Sequence, residues 1–197
     1  MGRAPKFSDD AILDATCGLV AERGAGAATV TAVAARLGAP SGSIYHRFAA
    51  RDLLVARLWI RTVHRFHPGF IDALTRDDVD EAARQAMRHT VRWAREHPVD
   101  ARVLLLHRRE DLVARWPDEL GDELADLNGP VVRAVRAYVA RRYAAVRTDR
   151  IAGVRFALLE LPYAAVRAHL IRGSLPGLDE EEFVVVAGMA VLRHLDP

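Results

Sequence analysis

The segment 29–48 constrains the fold more than any other part of this sequence. Thr29 can cap a helix with its hydroxyl, and Gly38 can end that helix because glycine enters the left-handed conformation without a Cβ clash. Pro40 disfavours helical backbone at Ala39 and so keeps the following turn sharp. The apolar residues between the two ends follow the i, i+3, i+4, i+7 spacing of one helix face: Val30, Val33, Ala34 and Leu37.

A second, short helix is predicted directly after this turn, with Ile44 and Phe48 on its buried face. Such a helix is stable only when it packs on neighbours, because it carries little apolar surface. Its other face is polar and free of acids: Ser43, Tyr45, His46 and Arg47. Helix, tight turn and short helix are typical of helix-turn-helix modules, whose second helix lies in the major groove of DNA.

The rest of the chain favours helices as well, and no stretch alternates apolar and polar residues for long enough to predict a strand. We therefore predict an all-α fold of about nine helices. The first helix is capped by Ser8 and runs to about Arg23. The later predicted helices span 51–66, closed by Pro68-Gly69; 78 or 80 to 97; 99–111; 118–143, broken at Gly129-Pro130; 148–172, capped by Thr148-Asp149 and bent at Pro162; and 179–195.

These helices group into two predicted domains, a helix-turn-helix DNA-binding domain at 1–50 and a larger helical bundle at 51–197. Residues 1–65 carry nine Lys and Arg against five Asp and Glu, a charge of +4, whereas 66–197 carry nineteen against twenty-one, a charge of −2. A basic N-terminal part is a modest electrostatic footprint for nucleic acid, although a solvated charged surface gives the same balance. The N-terminal tail, with Arg3 and Lys6, is either a frayed end or an arm that touches DNA.

Motifs for other functions are missing from the sequence. It contains no phosphate-binding loop, dinucleotide fingerprint, nucleophile elbow or zinc-protease motif, so we predict no catalytic residue and no cofactor. The single cysteine, Cys17, excludes an intramolecular disulfide and suits a reducing cytoplasm. Neither a signal peptide nor a run of about 18 apolar residues is present, so we expect no membrane span.

Two groups of titratable residues are candidate sites. His64 and His67 are three residues apart, but no third ligand follows at helical spacing, so ordinary packing histidines are favoured over a metal site. Glu160 lies in an apolar stretch, where a carboxylate is costly unless paired. An ion pair with Arg155 or Arg167 is the favoured interpretation, with a contact to a bound ligand or a role as general acid as the alternatives.

The N-terminal part also resembles the signature of the tetracycline-repressor (TetR) family of transcriptional regulators over roughly residues 8–58. The matching residues are Thr29, Val30, Val33, Ala34, Leu37, Gly38, Gly42, Ser43, Ile44, Tyr45, His46, Phe48, Arg51, Asp52 and Leu54. Pro40 stands where the family usually has a capping serine, which leaves the cap to the backbone of Ala39 or to Ser41. Ala50 stands where a cap for the next helix is common.

The resemblance implies a cytoplasmic regulator, a repressor that binds a double-stranded operator as a homodimer and responds to a small-molecule effector. It implies DNA contacts from Thr29, Thr31, Ser41, Gly42, Ser43, Tyr45, His46 and Arg51. Two alternatives stay open at this face: Tyr45 as part of the core, and Arg47 as the partner of an acid. The resemblance also implies that the last two long helices form the dimer.

An effector pocket is predicted among the C-terminal helices, although each of its residues is equally explicable as core: Trp59, Met87, Leu106, Tyr138, Phe156, Glu160 and Tyr163. Two other classes of function stay open. The C-terminal domain could hold an enzyme site, or the chain could be a helical adaptor that has lost DNA binding. The acid-free polar face of residues 41–47 argues against the adaptor.

Overall fold

The computed structural model describes residues 7–105 and 120–196, and every regular element in these two ranges is helical. The all-α prediction is therefore confirmed. The elements are α1 (Asp9–Arg23), a 3₁₀ turn (Ala25–Ala27), α2 (Val30–Leu37), α3 (Ser41–Tyr45), α4 (Arg51–Leu74), α5 (Val79–Glu96), α6 (Pro98–Leu105), α7 (Gly121–Asp126), α8 (Gly129–Tyr143), α9 (Thr148–Arg155), a π-helical turn (Phe156–Glu160), α10 (Leu161–Ile171) and α11 (Leu178–His194).

Some predictions fall on residues outside the described ranges. These are the tail residues Arg3 and Lys6, the helix start at 116–118, and the predicted pocket residue Leu106. None of the helices in residues 7–105 and 120–196 is long and apolar enough to cross a membrane.

The described residues divide into two compact units. The first holds residues up to Val63 together with those from Arg102 to Ala125, and the second holds the remainder. Helix α4 contributes its residues up to Val63 to the first unit and its later residues to the second. The predicted division after residue 50 stays a prediction.

The first unit is built around α1 to α3 and the start of α4. Ser8 caps α1 by accepting the N–H of Ala11 at 3.1 Å, as the sequence predicts. Apolar side chains from each of these helices reach the core and are almost fully buried: Ile12, Val33, Ile44, Leu54 and Leu58. A helix as short as α3 is stable in this setting because its neighbours bury its apolar side.

Helix α4 continues through Pro68 to Leu74, so the predicted end near Phe66 is wrong. An interior proline costs a helix about 3 kcal/mol, because it removes one N–H and clashes with the preceding turn. Tertiary packing outweighs that cost here. Phe70 and Leu74 are buried, and the ring of Phe66 meets that of Trp93 edge-on, with 5.3 Å between centroids.

The second unit packs α11 closely along α5. Gly188 makes this approach possible, because a Cβ there would lie 2.2 Å from the Met87 sulfur and 3.2 Å from the Ala157 carbonyl oxygen. The first contact is shorter than real Cβ contacts and the second is tighter than most, so any larger residue would require Met87 or the neighbouring backbone to shift. The hydroxyl of Tyr143 donates to the Leu192 carbonyl at 3.0 Å and ties α8 to the end of α11.

The predicted helix 148–172 differs from expectation at two points. Its N-cap is Arg147, which makes no side-chain cap, and Thr148 is already its first helical residue. The bend expected at Pro162 takes the form of a π-helical turn just before it, where the Leu161 N–H bonds to the Phe156 carbonyl. The predicted break near Gly129-Pro130 is present, since α7 ends at Asp126 and α8 begins at Gly129.

Candidate nucleic-acid interface

Helix α2 begins and ends as its sequence predicts. The Thr29 hydroxyl accepts the N–H of Ala32 at 3.1 Å, which satisfies one of the N–H groups that lack a partner in the first turn. Gly38 takes the left-handed conformation at φ 61°, and its N–H turns back to the carbonyls of Ala34 and Ala35. Thr29 and Thr31 are both exposed, so their side chains are available to a partner.

Helix α3 is shorter than a typical recognition helix and starts differently from expectation. Its N-cap is Pro40 and makes no side-chain cap, so neither Ala39 nor Ser41 has the predicted capping role. The Ser43 hydroxyl instead donates to the Pro40 carbonyl at 2.7 Å and braces the turn. The regular helix ends at Tyr45, although one more helical bond, from the Phe48 N–H to the Ile44 carbonyl at 2.9 Å, continues the coil.

Burial divides α3 and the turn after it into two sides. Ile44 and Phe48 are buried, which confirms the predicted anchors. The predicted DNA-facing residues Gly42, Ser43 and His46 are exposed, and Ser41 is half-buried. Tyr45 is 50% exposed, so this side chain belongs to the surface rather than to the core.

Arginines of the first unit are held by acids of the same unit. The sequence leaves Arg47 two alternatives, a DNA contact or an ion pair with an acid. Its guanidinium lies 2.7 Å from the carboxylate of Asp9, so the structure has the ion pair. Arg36 binds both carboxylate oxygens of Glu22, and this hydrogen bond lowers the pKa of Glu22. Further ion pairs join Arg61 to Asp10 and Asp14, and Arg57 to Glu123. These guanidinium groups brace the helices of the unit.

Arg51 occupies the start of α4, as predicted for a phosphate contact. Its side chain is exposed and lies 3.5 Å from the carboxylate of Asp52. An exposed pair of adjacent residues at this distance is weak, so the arginine can exchange this carboxylate for a phosphate oxygen.

The predicted effector residues lie in different environments. In the second unit Met87 and Tyr138 are buried, and burial raises the pKa of Tyr138 to about 12. Phe156, Glu160 and Tyr163 are exposed instead. Glu160 pairs with Arg155 at 3.8 Å, one of its two predicted partners, on a solvent-facing surface.

Trp59, the remaining described member of that predicted pocket, is a buried residue of the first unit.

The two histidines weighed as a metal pair differ in exposure. His64 is exposed, whereas burial, helped by the nearby charge of His64, lowers the pKa of His67 to about 4. Within residues 7–105 and 120–196, no group of three or more His, Cys, Asp or Glu side chains is arranged to hold a metal ion.

Sequence reasoning missed one feature of the second unit, a cleft between α4 and α5 that is lined from Gly69 onward. It was missed because α4 was expected to stop near Phe66. The signal that would have found it is the i, i+4, i+8 spacing of Phe66, Phe70 and Leu74, which carries the apolar face of α4 across Pro68.

A capped helix, a glycine turn and a short helix with buried anchors and an exposed polar face together define a helix-turn-helix protein of the DNA-binding class. Comparison with known proteins agrees with this class. Residues 12–58 match the family described as bacterial regulatory proteins, tetR family. No curated protein matches the chain.

Solved structures match over nearly the whole chain. The TetR family transcriptional regulator PfmR from Thermus thermophilus is 19% identical, with 94% of this chain and 99% of that chain covered and a TM-score of 0.67. The fatty acid degradation regulator FadR from Bacillus halodurans is 16% identical, with 98% and 97% covered and a TM-score of 0.72. FadR from Bacillus subtilis, solved with stearoyl-CoA, is 14% identical, with 94% and 96% covered and a TM-score of 0.66.

At these identities the solved structures establish the fold, and the tetR family match covers residues 12–58, the helix-turn-helix part of the chain. The N-terminal part of the chain is thus similar to the DNA-binding part of tetR family regulators, and the chain shares its fold with a solved regulator of that family.

Proposed function

We propose that the chain is a dimeric repressor that binds a pseudo-palindromic operator and is released from it by a small-molecule effector. The observation that carries the proposal is the division of α3: Ile44 and Phe48 hold it in the core, while Gly42, Ser43 and His46 face outward. These exposed side chains do not contribute to the core, so they are available to contact a partner. An acid-free polar surface suits a DNA groove.

Within this proposal the roles differ by residue type. Arg51 supplies a phosphate contact at the start of α4, which positions the protein without reading sequence. His46 and Tyr45 carry groups that can reach base edges in the major groove. The remaining proposed contacts come from short hydroxyl side chains and from the backbone of a glycine, which can bind phosphate and sugar. They are Thr29, Thr31, Ser41, Gly42 and Ser43.

The homodimer is proposed from exposed apolar side chains on the last helices. Phe156 is exposed in the π-helical turn and Tyr163 on α10, and Phe183 and Val186 are exposed on α11. A patch of large apolar side chains left open to water favours a partner surface, and a twofold axis lets one patch cover its own copy. Other apolar side chains of the same helices are buried within the unit and serve its core: Val166, Leu170, Met189 and Leu192.

We infer that residues 1–50 read the operator and that residues 51–197 bind the effector and form the dimer. Helix α4 has residues in both compact units, so a tilt of this helix offers a route from the effector to α3. The effector must bind the released conformation more tightly, and a coupling of ~1–3 kcal/mol would change operator affinity about 5–150-fold. Stearoyl-CoA, bound by the FadR structure from Bacillus subtilis, is one type of molecule to include in an effector screen.

We infer that the chain acts in the cytoplasm and that regulation rather than catalysis is its activity. Glu160, the carboxylate weighed as a general acid, is exposed and paired with Arg155. A turnover screen with a Glu160→Gln control tests the enzyme alternative, since an activity that the variant abolishes would favour it.

The proposal is tested by selecting bound fragments from random and genomic DNA with the full chain. We expect enrichment of one pseudo-palindrome whose half-sites lie about one helical turn apart, ~34–36 Å, or somewhat more. Failure to enrich any sequence at low salt would contradict the proposal.

A further inference from the structure

A serine, a histidine and a glutamate of the second unit form a chain of polar contacts at the connection between α10 and α11. The hydroxyl oxygen of Ser174 lies 3.1 Å from Nδ1 of His169. The other ring nitrogen of His169, Nε2, lies 3.3 Å from a carboxylate oxygen of Glu180. Hydroxyl, imidazole and carboxylate in this order are the arrangement by which proteins activate a serine as a nucleophile.

The end of α10 places the serine beside the histidine ring. His169 lies in the last turn of α10, and Gly173 after it takes the left-handed conformation at φ 74°. The chain therefore folds back on the helix end, and the N–H of Ser174 donates to the His169 carbonyl at 3.0 Å. The Ser174 hydroxyl has the same carbonyl as a second acceptor at 3.2 Å. Both contacts keep the hydroxyl oxygen next to the ring.

The start of α11 places the carboxylate. The second carboxylate oxygen of Glu180 accepts the N–H of Gly177 at 2.8 Å. Hydrogen bonds from the N–H of Glu180 itself and from that of Gly177 lower the pKa of this carboxyl, so it is ionised at neutral pH. Because a carboxylate only accepts, Nε2 of His169 carries the proton. Nδ1 of the neutral ring is then the acceptor for the Ser174 hydroxyl.

The neighbouring Glu181 fixes this turn of α11 on α5. Glu181 is 6% exposed, and its two carboxylate oxygens accept Nε of Arg92 at 2.9 Å and Nη2 of Arg95 at 3.0 Å. The guanidinium of Arg88 lies 3.7 Å from the first of these oxygens. This Glu181 cluster anchors the first turn of α11, and Glu180 is anchored with it. Reacting groups that are held in position react faster than mobile ones.

The hydroxyl that would react is open to a substrate, since Ser174 is exposed. Within residues 7–105 and 120–196, the N–H of Leu175 makes no backbone hydrogen bond, so it is available to stabilise an oxyanion formed at the preceding serine. Large apolar side chains flank the serine along the chain and are exposed as well: Ile171, Leu175 and Leu178. Such a surrounding suits an apolar acyl chain rather than a charged one.

We propose that Ser174 is a covalent modification site that takes an acyl group from an activated acyl donor, an ester or thioester with an apolar acyl chain. The Ser174 oxygen bonds to the carbonyl carbon of the donor while its proton passes to Nδ1 of His169. The bond from that carbon to the leaving oxygen or sulfur breaks, and the leaving atom takes the proton from Nδ1. The products are an O-acyl serine and a free alcohol or thiol. This step does not depend on DNA binding, so it stands apart from the proposed function.

Acylation is tested by incubating the full chain with p-nitrophenyl butyrate, quenching in acid at successive times and measuring the mass of the intact chain. We expect one added butyryl group, and peptide mapping should place it on Ser174. The other three serines of the chain, Ser8, Ser41 and Ser43, are internal controls. Ser174→Ala should lose the adduct. Absence of an adduct on Ser174, or an equal label on all four serines, would overturn the site.

The role of the histidine is tested by the rate of acylation. His169→Ala should slow it about 100-fold or more, because a general base contributes at least that much, and added imidazole should restore part of the rate. His194→Ala is the matched control, since it removes an exposed histidine of α11 and should change nothing. A His169→Ala chain that reacts at the unaltered rate, or that imidazole does not rescue, would overturn the base.

The role of the carboxylate is tested with Glu180→Gln, which keeps an oxygen for the N–H of Gly177. This change should slow acylation of the unaltered chain but not of His169→Ala, because Glu180 acts only by positioning the ring and holding its proton on Nε2. An equal loss in both backgrounds would overturn that role. Far-ultraviolet circular dichroism of each variant checks that it is folded.

Discussion

Val186→Asp should dissociate the proposed dimer while leaving the fold intact. Val186 is 60% exposed on α11, so the substitution costs the isolated chain little. Burying a whole valine side chain contributes about 1.5–3 kcal/mol, so covering the exposed part contributes roughly 1–2 kcal/mol in each protomer. Because both protomers carry the substitution, the free energy of dimerisation falls by about 2–4 kcal/mol. The dissociation constant of the dimer then rises roughly 30- to 700-fold.

Burying two unpaired aspartates in the interface adds to this loss, so the estimate is a lower bound. Sedimentation velocity over a concentration series measures the dissociation constant, and far-ultraviolet circular dichroism checks the fold. Val132→Asp is the matched control, because Val132 is a valine that is 50% exposed on α8, a helix outside the proposed face. The reasoning is refuted if Val186→Asp dimerises as the unaltered chain does, or if Val132→Asp dissociates it equally.

Three further predictions concern stability. Ile44→Ala should lower the free energy of unfolding by about 2–5 kcal/mol in a urea titration, because Ile44 is fully buried; a change no larger than that of Val132→Ala would contradict its role as the anchor of α3. Gly188→Ala should cost about 1–3 kcal/mol by the same assay, since its Cβ would meet Met87, and an unchanged midpoint would show that the two helices separate freely. The pKa of His67 is lowered from 6.5 to about 4, so as the pH falls through this window the unfolded chain takes up a proton that the folded chain does not, and stability falls. His67→Gln should flatten that fall, and an equal slope in both proteins would contradict the burial of this ring.

Local signals predicted the N-terminal part of the chain well. Caps at Ser8 and Thr29 and the turn at Gly38 depend on backbone geometry that each residue imposes on its own neighbours. The burial of Ile44 and Phe48 follows from their spacing on one coil. These features need no knowledge of distant contacts, so a single sequence suffices to predict them.

The end of α4 and the effector residues could not be predicted in the same way. Pro68 is a local signal to stop, and the packing that overrides it comes from α5, where Trp93 and His89 meet Phe66. Whether an aromatic residue lies in the core or on the surface depends on which helix covers it. The sequence alone therefore does not distinguish Tyr138 from Tyr163, yet Tyr138 is buried and Tyr163 is exposed.

The Glu181 cluster depends on long-range pairing for the same reason. Arg88, Arg92 and Arg95 follow one another on α5 as an ordinary charged face, and nothing local shows that a carboxylate from the far end of the chain is buried against them. The sequence indicates that such arginines are solvated. The structure brings α11 onto them.

The central claim is that the exposed side of α3 and the start of α4 read DNA. Fluorescence anisotropy of a labelled duplex carrying the selected operator, against a scrambled duplex across a salt series, tests it most directly. His46→Ala should reduce the preference for the operator by about 1–3 kcal/mol. Arg51→Gln should weaken binding to both duplexes alike and lower the salt slope by roughly one unit. Equal binding of the unaltered chain to the two duplexes, or His46 and Arg51 variants that bind as it does, would contradict the account.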